Sequence, residues 1–247
     1  MTSLQSLLSA CKNAVVFTGA GISTESGIPD FRSPTGLWQT NKPIDFQDFM
    51  NSEESRIEAW RRKFEIDPTI AIAKPNKGHL AIAEWVEAGA VSHVITQNID
   101  NLHQISGVPS ERIIELHGNG TYAHCLSCAV RFTLAEVRHQ FDLSERQMAP
   151  RCDVCGGFIK SATISFGQSM PEDEMRRAEA ATLSCDLFIA IGSSLQVFPA
   201  AGFPLLAKRN GAKLVILNRE QTDMDGIADL VLHEEIGEAL SQINLNG

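Results

Sequence analysis

The feature that most restricts the fold of this chain is a short apolar run, residues 14–17, which leads into Gly19-Ala20-Gly21. The run is Ala-Val-Val-Phe, and an apolar, β-branched run of this length predicts a buried strand. Glycines after such a strand let the backbone approach a phosphate, which the free N–H groups of a following helix can bind. We therefore expect a nucleotide-binding fold. A plain tight turn remains compatible, because Thr24 stands where the usual dinucleotide pattern has its third glycine.

Strand-like and helix-like segments alternate along the rest of the chain. The pattern predicts later strands at 91–96, 186–191, 213–217 and 229–232. It predicts helices from 51 (Asn51 and Glu54 as a capping pair), at 77–88, from 171, at 199–209 and at 234–243. Such alternation gives a parallel sheet with right-handed crossovers. The predicted fold class is α/β, a Rossmann-type parallel sheet into which a smaller zinc-binding and helical module is inserted.

Four of the six cysteines form two Cys-x-x-Cys pairs, Cys125 with Cys128 and Cys152 with Cys155. Four thiolates fill the tetrahedral coordination of one Zn²⁺ and leave no position for water, so the expected zinc is structural. Two disulfides or free thiols are the alternatives, and both fit an intracellular chain less well. The remaining Cys11 and Cys185 are predicted to be core residues.

Charge and hydropathy restrict the partners of the chain. The net charge of -9 disfavours nucleic acid, because phosphate binding needs a concentrated basic face, and it suits a basic peptide. The sequence shows no apolar run of about 20 residues, so we expect no membrane association. It also shows no cleavage-type signal near its start, so the predicted location is cytoplasmic.

Polar residues follow several of the predicted strands. Residues 96–103, TQNIDNLH, come after one strand, and open α/β sheets bind their ligands at this edge. An ordinary Asx turn would explain the same residues. His117 follows another apolar run, 113–116, and an imidazole, whose ordinary pKa is about 6.5, can serve as a general base or as a structural residue. Small residues at 192–194 and the amide of Asn218 would suit a phosphate and a ribose hydroxyl.

These segments together resemble the sirtuin family. Residues 19–38, GAGISTESGIPDFRSPTGLW, are similar to the sirtuin nucleotide-binding signature, and TQNIDNLH and the His-Gly pair at 117–118 resemble two further sirtuin motifs. Segments 165–168, 192–200 and 217–220 also match. The resemblance extends from Val16 to about Leu240, nearly the whole chain.

The resemblance implies that NAD is a consumed co-substrate and that an acyl group passes from a protein lysine to ADP-ribose, with release of nicotinamide. His117 would be the general base, with Asn98 and Asp100 beside it as catalytic residues. Acyl-lysine proteins or peptides would be the partners, contacting Phe166, Gly167, Gln168 and Val197. Many relatives carry Glu where this chain has Gln168, which affects peptide preference. The expected NAD-binding residues are Gly19, Ala20, Gly21, Ser23, Asp30, Phe31, Arg32, Gln97, Asn98, Ile99, Asp100, Gly192, Ser193, Ser194, Asn218, Glu220 and Ile236.

Three other functions would use a related scaffold. A protein mono-ADP-ribosyltransferase needs the same NAD pocket, but it does not need the base His117. A non-catalytic NAD sensor would not need Asn98, Asp100 and His117 together. A hydride-transferring dehydrogenase is what the glycine turn alone would suggest, and a change in absorbance of reduced nicotinamide would reveal it.

The domain organisation follows from the positions of the two insertions. The NAD-binding domain is predicted to comprise residues 1–38, 76–120 and 162–247. A helical insertion, 39–75, and a zinc-ribbon insertion, 121–161, would form the small domain, with the active site in the cleft between the two parts.

The helical insertion also predicts an acyl preference. Family members that remove acidic acyl groups such as succinyl carry a Tyr-x-x-Arg pair in this region, and the best-matching positions here are Trp60 and Lys63. We therefore expect acetyl and other uncharged acyl groups to be preferred, because a lysine lacks the bidentate fork of arginine. A shifted helix register that brings Arg61 or Arg62 to the pocket is the alternative.

Overall fold

The structure, a computed structural model, describes residues 3–30, 42–143 and 148–244. The strands within these ranges are β1 (Ala14–Thr18), β2 (Val91–Thr96), β3 (Ile113–Glu115), β4 (Gly118–Cys125), β5 (Arg131–Thr133), β6 (Ile159–Thr163), β7 (Leu187–Ile191), β8 (Lys213–Leu217) and β9 (Leu230–Leu232). The helices are α1 (Leu4–Ala10), α2 (Phe46–Asn51), α3 (Glu53–Ile72), α4 (Lys77–Glu87), α5 (Leu102–Ile105), α6 (Leu134–Leu143), α7 (Glu172–Ser184), α8 (Gly202–Arg209) and α9 (Ile236–Ser241).

Six strands form the main sheet, in the order β3-β2-β1-β7-β8-β9, and every pair in it is parallel. This confirms the predicted α/β class, and the order is that of a doubly wound dinucleotide-binding sheet. The strand order reverses between β1 and β7, where the crevice of such folds lies. Thr18, the last residue of β1, is paired with Thr96 on one side and Ile191 on the other.

Both faces of the main sheet are covered by helices, because consecutive strand residues point to opposite sides. On one face Val16, Ile189 and Val215 pack against α1, α4 and α9. On the other face Phe17 and Phe188 pack against α7 and α8. The strands β1, β7 and β8 are therefore almost continuous apolar runs, whereas β2 also contains Ser92 and His93.

A small sheet of three antiparallel strands, in the order β5-β4-β6, lies beside the main one. Trp60 and Phe64 of α3 pack on it together with Val137 of α6 and Ile159 of β6. We call α3, α6 and the small sheet the small module. The zinc-binding and helical parts predicted as separate insertions thus share one apolar cluster, while the exact domain boundaries stay a prediction.

Some predicted helix ends were wrong. Asn51 ends α2, and α3 begins at Glu53 after Ser52, whose hydroxyl accepts the backbone N–H of Ser55. The cap is therefore one residue later than the Asn51–Glu54 pair predicted. The helix predicted from 199 begins at Gly202, and the one predicted from 234 begins at Ile236. None of the helices in the described ranges is long and apolar enough to cross a bilayer.

Candidate active site

A cleft of about 430 Å³ opens at the carboxyl ends of β1, β2, β7 and β8. Its volume lies within the range of ordinary small-molecule sites. The loops after these strands meet there with the segment 163–168 that follows β6. The predicted site residues that line it are Gly19, Ala20, Gly21, Asp30, Gln97, Asn98, Ile99, His117, Phe166, Gly167, Gln168, Gly192, Ser193, Ser194, Val197, Asn218, Glu220 and Ile236.

The remaining predicted residues are not among those that line the cleft. Ser23 and Asp100 are buried directly behind the cleft wall. Phe31 and Arg32 lie outside the described residues. Among the lining residues that the sequence did not predict is Glu25, whose Oε1 accepts the N–H of Gly237 at 2.8 Å, near the start of α9. No local pattern announces this contact, because the two residues are far apart in the chain.

Gly19, Gly21 and Gly192 are required by their own close packing. A Cβ at Gly19 would lie 2.7 Å from the Gly192 carbonyl oxygen, and one at Gly21 would lie 2.8 Å from the Gly192 Cα. Gly192 itself has a φ of 63°, which favours glycine. The glycines therefore bring the ends of β1 and β7 together, and the short 3₁₀ helix Ala20–Ser26 starts at this junction.

The loop after β2 holds Asn98 and Asp100 in fixed positions. The side-chain amide of Asn98 donates to the Gly19 carbonyl at 3.0 Å. The Ser23 hydroxyl donates to Asp100 Oδ2 at 2.6 Å, and the backbone N–H of Leu102 donates to Asp100 Oδ1 at 2.9 Å. Both carboxylate oxygens thus accept hydrogen bonds, which fix the orientation of the Asp100 side chain.

His117 stands between the main sheet and the small sheet, in the turn from β3 to β4. Its Nδ1 lies 3.1 Å from the backbone carbonyl of Gln97. A carbonyl can only accept, so Nδ1 carries the proton and Nε2 is the basic nitrogen of the neutral ring. The Gln97 side chain donates to Ser193 Oγ at 2.9 Å and so ties the loop after β2 to the loop after β7. The geometry is that of an oriented general base.

The far end of the cleft carries polar groups around Asn218. Its side-chain amide donates to the backbone carbonyl of Glu220 at 2.7 Å, and its own backbone carbonyl accepts from His233 Nδ1 at 2.8 Å. These contacts fix the turn after β8, which lies opposite the start of α9. A nucleoside part of a ligand would be held here, between backbone and amide groups.

The segment after β6 forms one wall of the cleft. Gln168 closes its turn by bonding back to Ser165, with its Oε1 3.2 Å from the Ser165 N–H and its own N–H 3.0 Å from the Ser165 carbonyl. The Phe166 carbonyl accepts the N–H of Phe46 at 2.8 Å, which links this wall to α2. The Gln168 side chain therefore has a local role in shaping the loop.

A second cavity of about 380 Å³ continues from the cleft toward α3 and shares Pro43, Ile44, Ile99, Thr163 and Ser165 with it. Trp60 and Lys63 line it. The Trp60 indole N–H donates to the Ile159 carbonyl at 3.2 Å, and Lys63 pairs with Asp67 at 2.8 Å.

Three further basic residues line the second cavity, Lys42, Arg62 and Lys160. The Arg62 Nε is 2.7 Å from Glu58 Oε1, so a carboxylate already pairs with it. Lys160 is buried and donates to the Thr163 carbonyl at 2.5 Å, and burial lowers its pKa to about 8. Arg62 and Lys160 therefore already have partners within the protein, whereas Lys42 is exposed.

The four predicted cysteine ligands come together in the small module. Their sulfur atoms all lie within 4.8 Å of one another, with 3.4 Å between Cys125 and Cys155 and 3.6 Å between Cys128 and Cys152. A disulfide would need about 2.05 Å, whereas Zn–S bonds of about 2.3 Å in a tetrahedron place sulfurs about 3.8 Å apart. The cluster therefore fits one structural zinc.

His79 and His103 are buried beneath the cleft, and their ring centroids are 5.1 Å apart. Burial lowers the pKa of His79 to about 4, although the nearby Asp100 carboxylate opposes this shift. Burial and the neighbouring His79 lower the pKa of His103 to about 3. Both rings are consequently neutral at physiological pH.

Comparison with known proteins identifies relatives over nearly the whole length. The Sir2 family model matches residues 19–199. An NAD-dependent protein deacetylase 1 of Bradyrhizobium diazoefficiens is 57% identical over 96% of this chain and 92% of its own length. An NAD-dependent protein deacetylase of Rhodopseudomonas palustris is 56% identical over 96% of this chain and 93% of its own.

Solved structures give the same picture. A Sir2 structure with a p53 peptide and NAD⁺ has a TM-score of 0.88 and 37% identity, and the match covers 98% of this chain and 97% of that one. A Sir2 variant with a deacetylated p53 peptide and 3'-O-acetyl ADP ribose has a TM-score of 0.89 and 38% identity, covering 97% and 95%.

Proposed function

The chain belongs to the Sir2 family and is an NAD-dependent protein deacetylase, and we propose that its reaction takes place in the cleft that contains Asn98 and His117. One observation carries this proposal. Residues from separate segments of the sequence line a single cleft, in which the imidazole of His117 is oriented by the Gln97 carbonyl.

NAD is the co-substrate, and when bound it supplies an activated ribose carbon with nicotinamide as the leaving group. The residues of the chain bind and orient the reactants. Asn98 and the turn after β1 would hold the ribose and phosphates, and Asp100 would keep this wall in place through Ser23. Nε2 of His117 would take the proton of a ribose hydroxyl, since Nδ1 already carries one.

The substrate is a peptide segment carrying an acyl-lysine. The two Sir2 structures compared above contain p53 peptides. In this chain, we place the peptide between the wall at Phe166–Gln168 and the loop at Val197, where its lysine side chain can enter toward His117. The net charge of -9 favours basic sequences around the modified lysine.

We further propose that acetyl and other uncharged acyl groups are preferred. Trp60 uses its only polar atom on the Ile159 carbonyl, and the charge of Lys63 is balanced by Asp67. Arg62, the alternative by helix register, is balanced by Glu58. An acidic acyl group would have to compete with these carboxylates for the cations.

The cytoplasm is the compartment that we propose for this enzyme. A zinc site of four cysteines needs thiolates, and a reducing compartment keeps them from forming disulfides.

The reaction is tested by incubating the protein with NAD and a panel of acyl-lysine peptides and analysing the products by mass spectrometry. We expect free lysine peptide, nicotinamide and O-acyl-ADP-ribose in equal amounts. ADP-ribose attached to protein, with the peptide still acylated, would support the mono-ADP-ribosyltransferase and contradict the proposal.

A further inference from the structure

Thr18, Thr96 and His103 form a buried hydrogen-bond chain beneath the loop that carries Asn98 and Asp100. Thr18 and Thr96 end the neighbouring strands β1 and β2, and they are paired in the parallel ladder. His103 belongs to α5, directly after the loop. The exposed fractions of Thr18, Thr96 and His103 are 0%, 2% and 1%. The three residues are absent from the described lining of the cleft, so any effect on the reaction must be indirect.

The hydrogen bonds of the chain run in one direction. The Thr18 hydroxyl donates to Thr96 Oγ1 at 2.8 Å, and Thr96 Oγ1 also accepts the backbone N–H of Asn98 at 3.0 Å. Because the Thr18 proton is directed at Thr96, His103 Nε2, 2.9 Å from Thr18 Oγ1, is the donor of that contact. A neutral imidazole has one N–H, so the contact fixes its tautomer.

This arrangement fastens both ends of the loop to one point. Thr96 lies just before the loop and His103 just after it, and both bond to the hydroxyl of Thr18. The backbone of Thr18 adds a further link, because its carbonyl accepts the N–H of Gln97 at 3.0 Å. The Gln97 carbonyl is in turn the acceptor for Nδ1 of His117. A continuous set of directional contacts thus connects His103 to the imidazole of the general base.

We propose that His103, acting through the hydroxyls of Thr18 and Thr96, is a positioning residue that holds Asn98 and His117 in register for the chemical step. The inference rests on the proposed function of the cleft. Apolar packing could fill the same space, but it would leave the backbone N–H of Asn98 without its acceptor, Thr96 Oγ1. Displacements of about 1 Å can cost roughly 100-fold in rate, so these bonds matter for turnover.

The test compares Thr18→Val with Thr18→Ser, since valine keeps the shape and serine keeps the hydroxyl. We expect Thr18→Val to lower kcat by roughly 10- to 100-fold with little change in the KM for acetyl peptide, and Thr18→Ser to keep most of the activity. Thr182→Val is the matched control, because Thr182 is equally buried but lies near the end of α7 and is absent from the described lining of the cleft. It should leave kcat unchanged.

His103 itself is tested with a second pair of variants. His103→Gln can still donate to Thr18 through its amide, whereas His103→Leu cannot. We expect Gln to restore a large part of the kcat that Leu loses. The proposal would be overturned if kcat fell equally in His103→Gln and His103→Leu, or equally in Thr18→Val and Thr18→Ser. It would also be overturned if these variants had a lower melting temperature but an unchanged kcat.

Folding and the proposed function are checked separately. Circular dichroism and bound zinc report whether each variant is folded, and Thr96→Val replaces Thr18→Val if the latter is not. If the wild-type protein does not release nicotinamide with acetyl peptide, the proposed function fails. If it does and Thr18→Val, or Thr96→Val in its place, matches it, only the positioning role fails.

Discussion

Each face of the main sheet carries nineteen buried hydrophobic residues in the described ranges, whereas the cluster of the small module has seven. Two of those seven, Cys125 and Cys152, belong to the metal cluster. A parallel sheet covered on both sides buries enough apolar surface to be stable by itself. A cluster of seven residues is small for this purpose, and such modules usually depend on a bound metal.

The two regions also divide the functional work. The loops of the main sheet carry Asn98, Asp100 and most of the polar groups of the cleft, held by hydrogen bonds between buried atoms. The small module supplies the wall of the second cavity through α3 and β6. We therefore expect changes in the main-sheet loops to alter the chemistry, and changes in the small module to alter stability and substrate choice.

Removal of zinc should have the largest effect. We expect a chelator to unfold the small module first and to abolish activity, because structural zinc contributes its binding free energy to folding. Elemental analysis should give one zinc per chain, and hydrogen exchange should show loss of protection in β4–β6 before β1, β7 and β8. Cys128→Ser should behave like the chelated protein, while Cys11→Ser, outside the cluster, should not. Full activity without zinc would show that the small module does not depend on the metal.

His117→Ala should lower deacetylation by roughly 10²- to 10⁴-fold, the usual contribution of a general base. NAD affinity by calorimetry and the melting temperature should stay near wild type, because the side chain's hydrogen bond to Gln97 serves orientation. His139→Ala, an exposed change on α6, is the control. Wild-type turnover in the His117 variant would exclude the assigned role.

The preference for acetyl over succinyl peptides should be a smaller effect than the loss of activity in His117→Ala. Loss of a charged hydrogen bond costs about 1.5–3 kcal/mol, so kcat/KM on an acetyl-lysine peptide should exceed that on the matched succinyl peptide by roughly 10- to 150-fold. Equal or better turnover of succinyl would disprove this preference. If that turnover then disappeared in Arg62→Met but not in Lys63→Met, Arg62 would be the residue responsible.

Lowering the pH should destabilise the folded protein, because the two buried histidines resist protonation in the folded state. Their folded-state pKa values, about 4 for His79 and about 3 for His103, lie below the ordinary value, so the unfolded chain binds more protons between about pH 6.5 and 4. Stability should therefore fall as pH falls through this window, by about 1.4 kcal/mol per pH unit for each such histidine. Urea unfolding between pH 7.5 and 5 should show a shallower decline for His103→Gln than for His139→Gln. Equal slopes would mean that His103 does not titrate in this way.

The strand pattern of the sequence was sufficient for the main sheet. Residues 91–96 and 213–217 matched β2 and β8 at both ends, since both are rich in β-branched and apolar residues and are bounded by glycine and polar residues, although Ser92 and His93 interrupt the apolar run of β2. Helix starts were less predictable. Ser52 and Asn51 are both good caps, and only the separate helix α2 before them decides which one is used.

Most predicted cleft residues came together because motifs at strand ends meet at one edge of a parallel sheet. Contacts between distant segments could not be foreseen in this way. The hydrogen bonds between Glu25 and Gly237 and between His103 and Thr18 depend on how α9 and α5 pack against the sheet, which local sequence patterns do not encode. The reason for Gly192 was also hidden, because it lies in the packing of β7 against the turn after β1.

A crystal structure with NAD and an acetyl-lysine peptide would show whether His117 is placed as the general base. We expect Nε2 of His117 within about 2.6–3.2 Å of a ribose hydroxyl next to the acetyl group. We also expect that Nδ1 still donates to the Gln97 carbonyl and that the side chain of Asn98 contacts the ligand. An imidazole turned away from the ribose, or NAD bound outside the cleft at the ends of β1 and β7, would contradict these expectations.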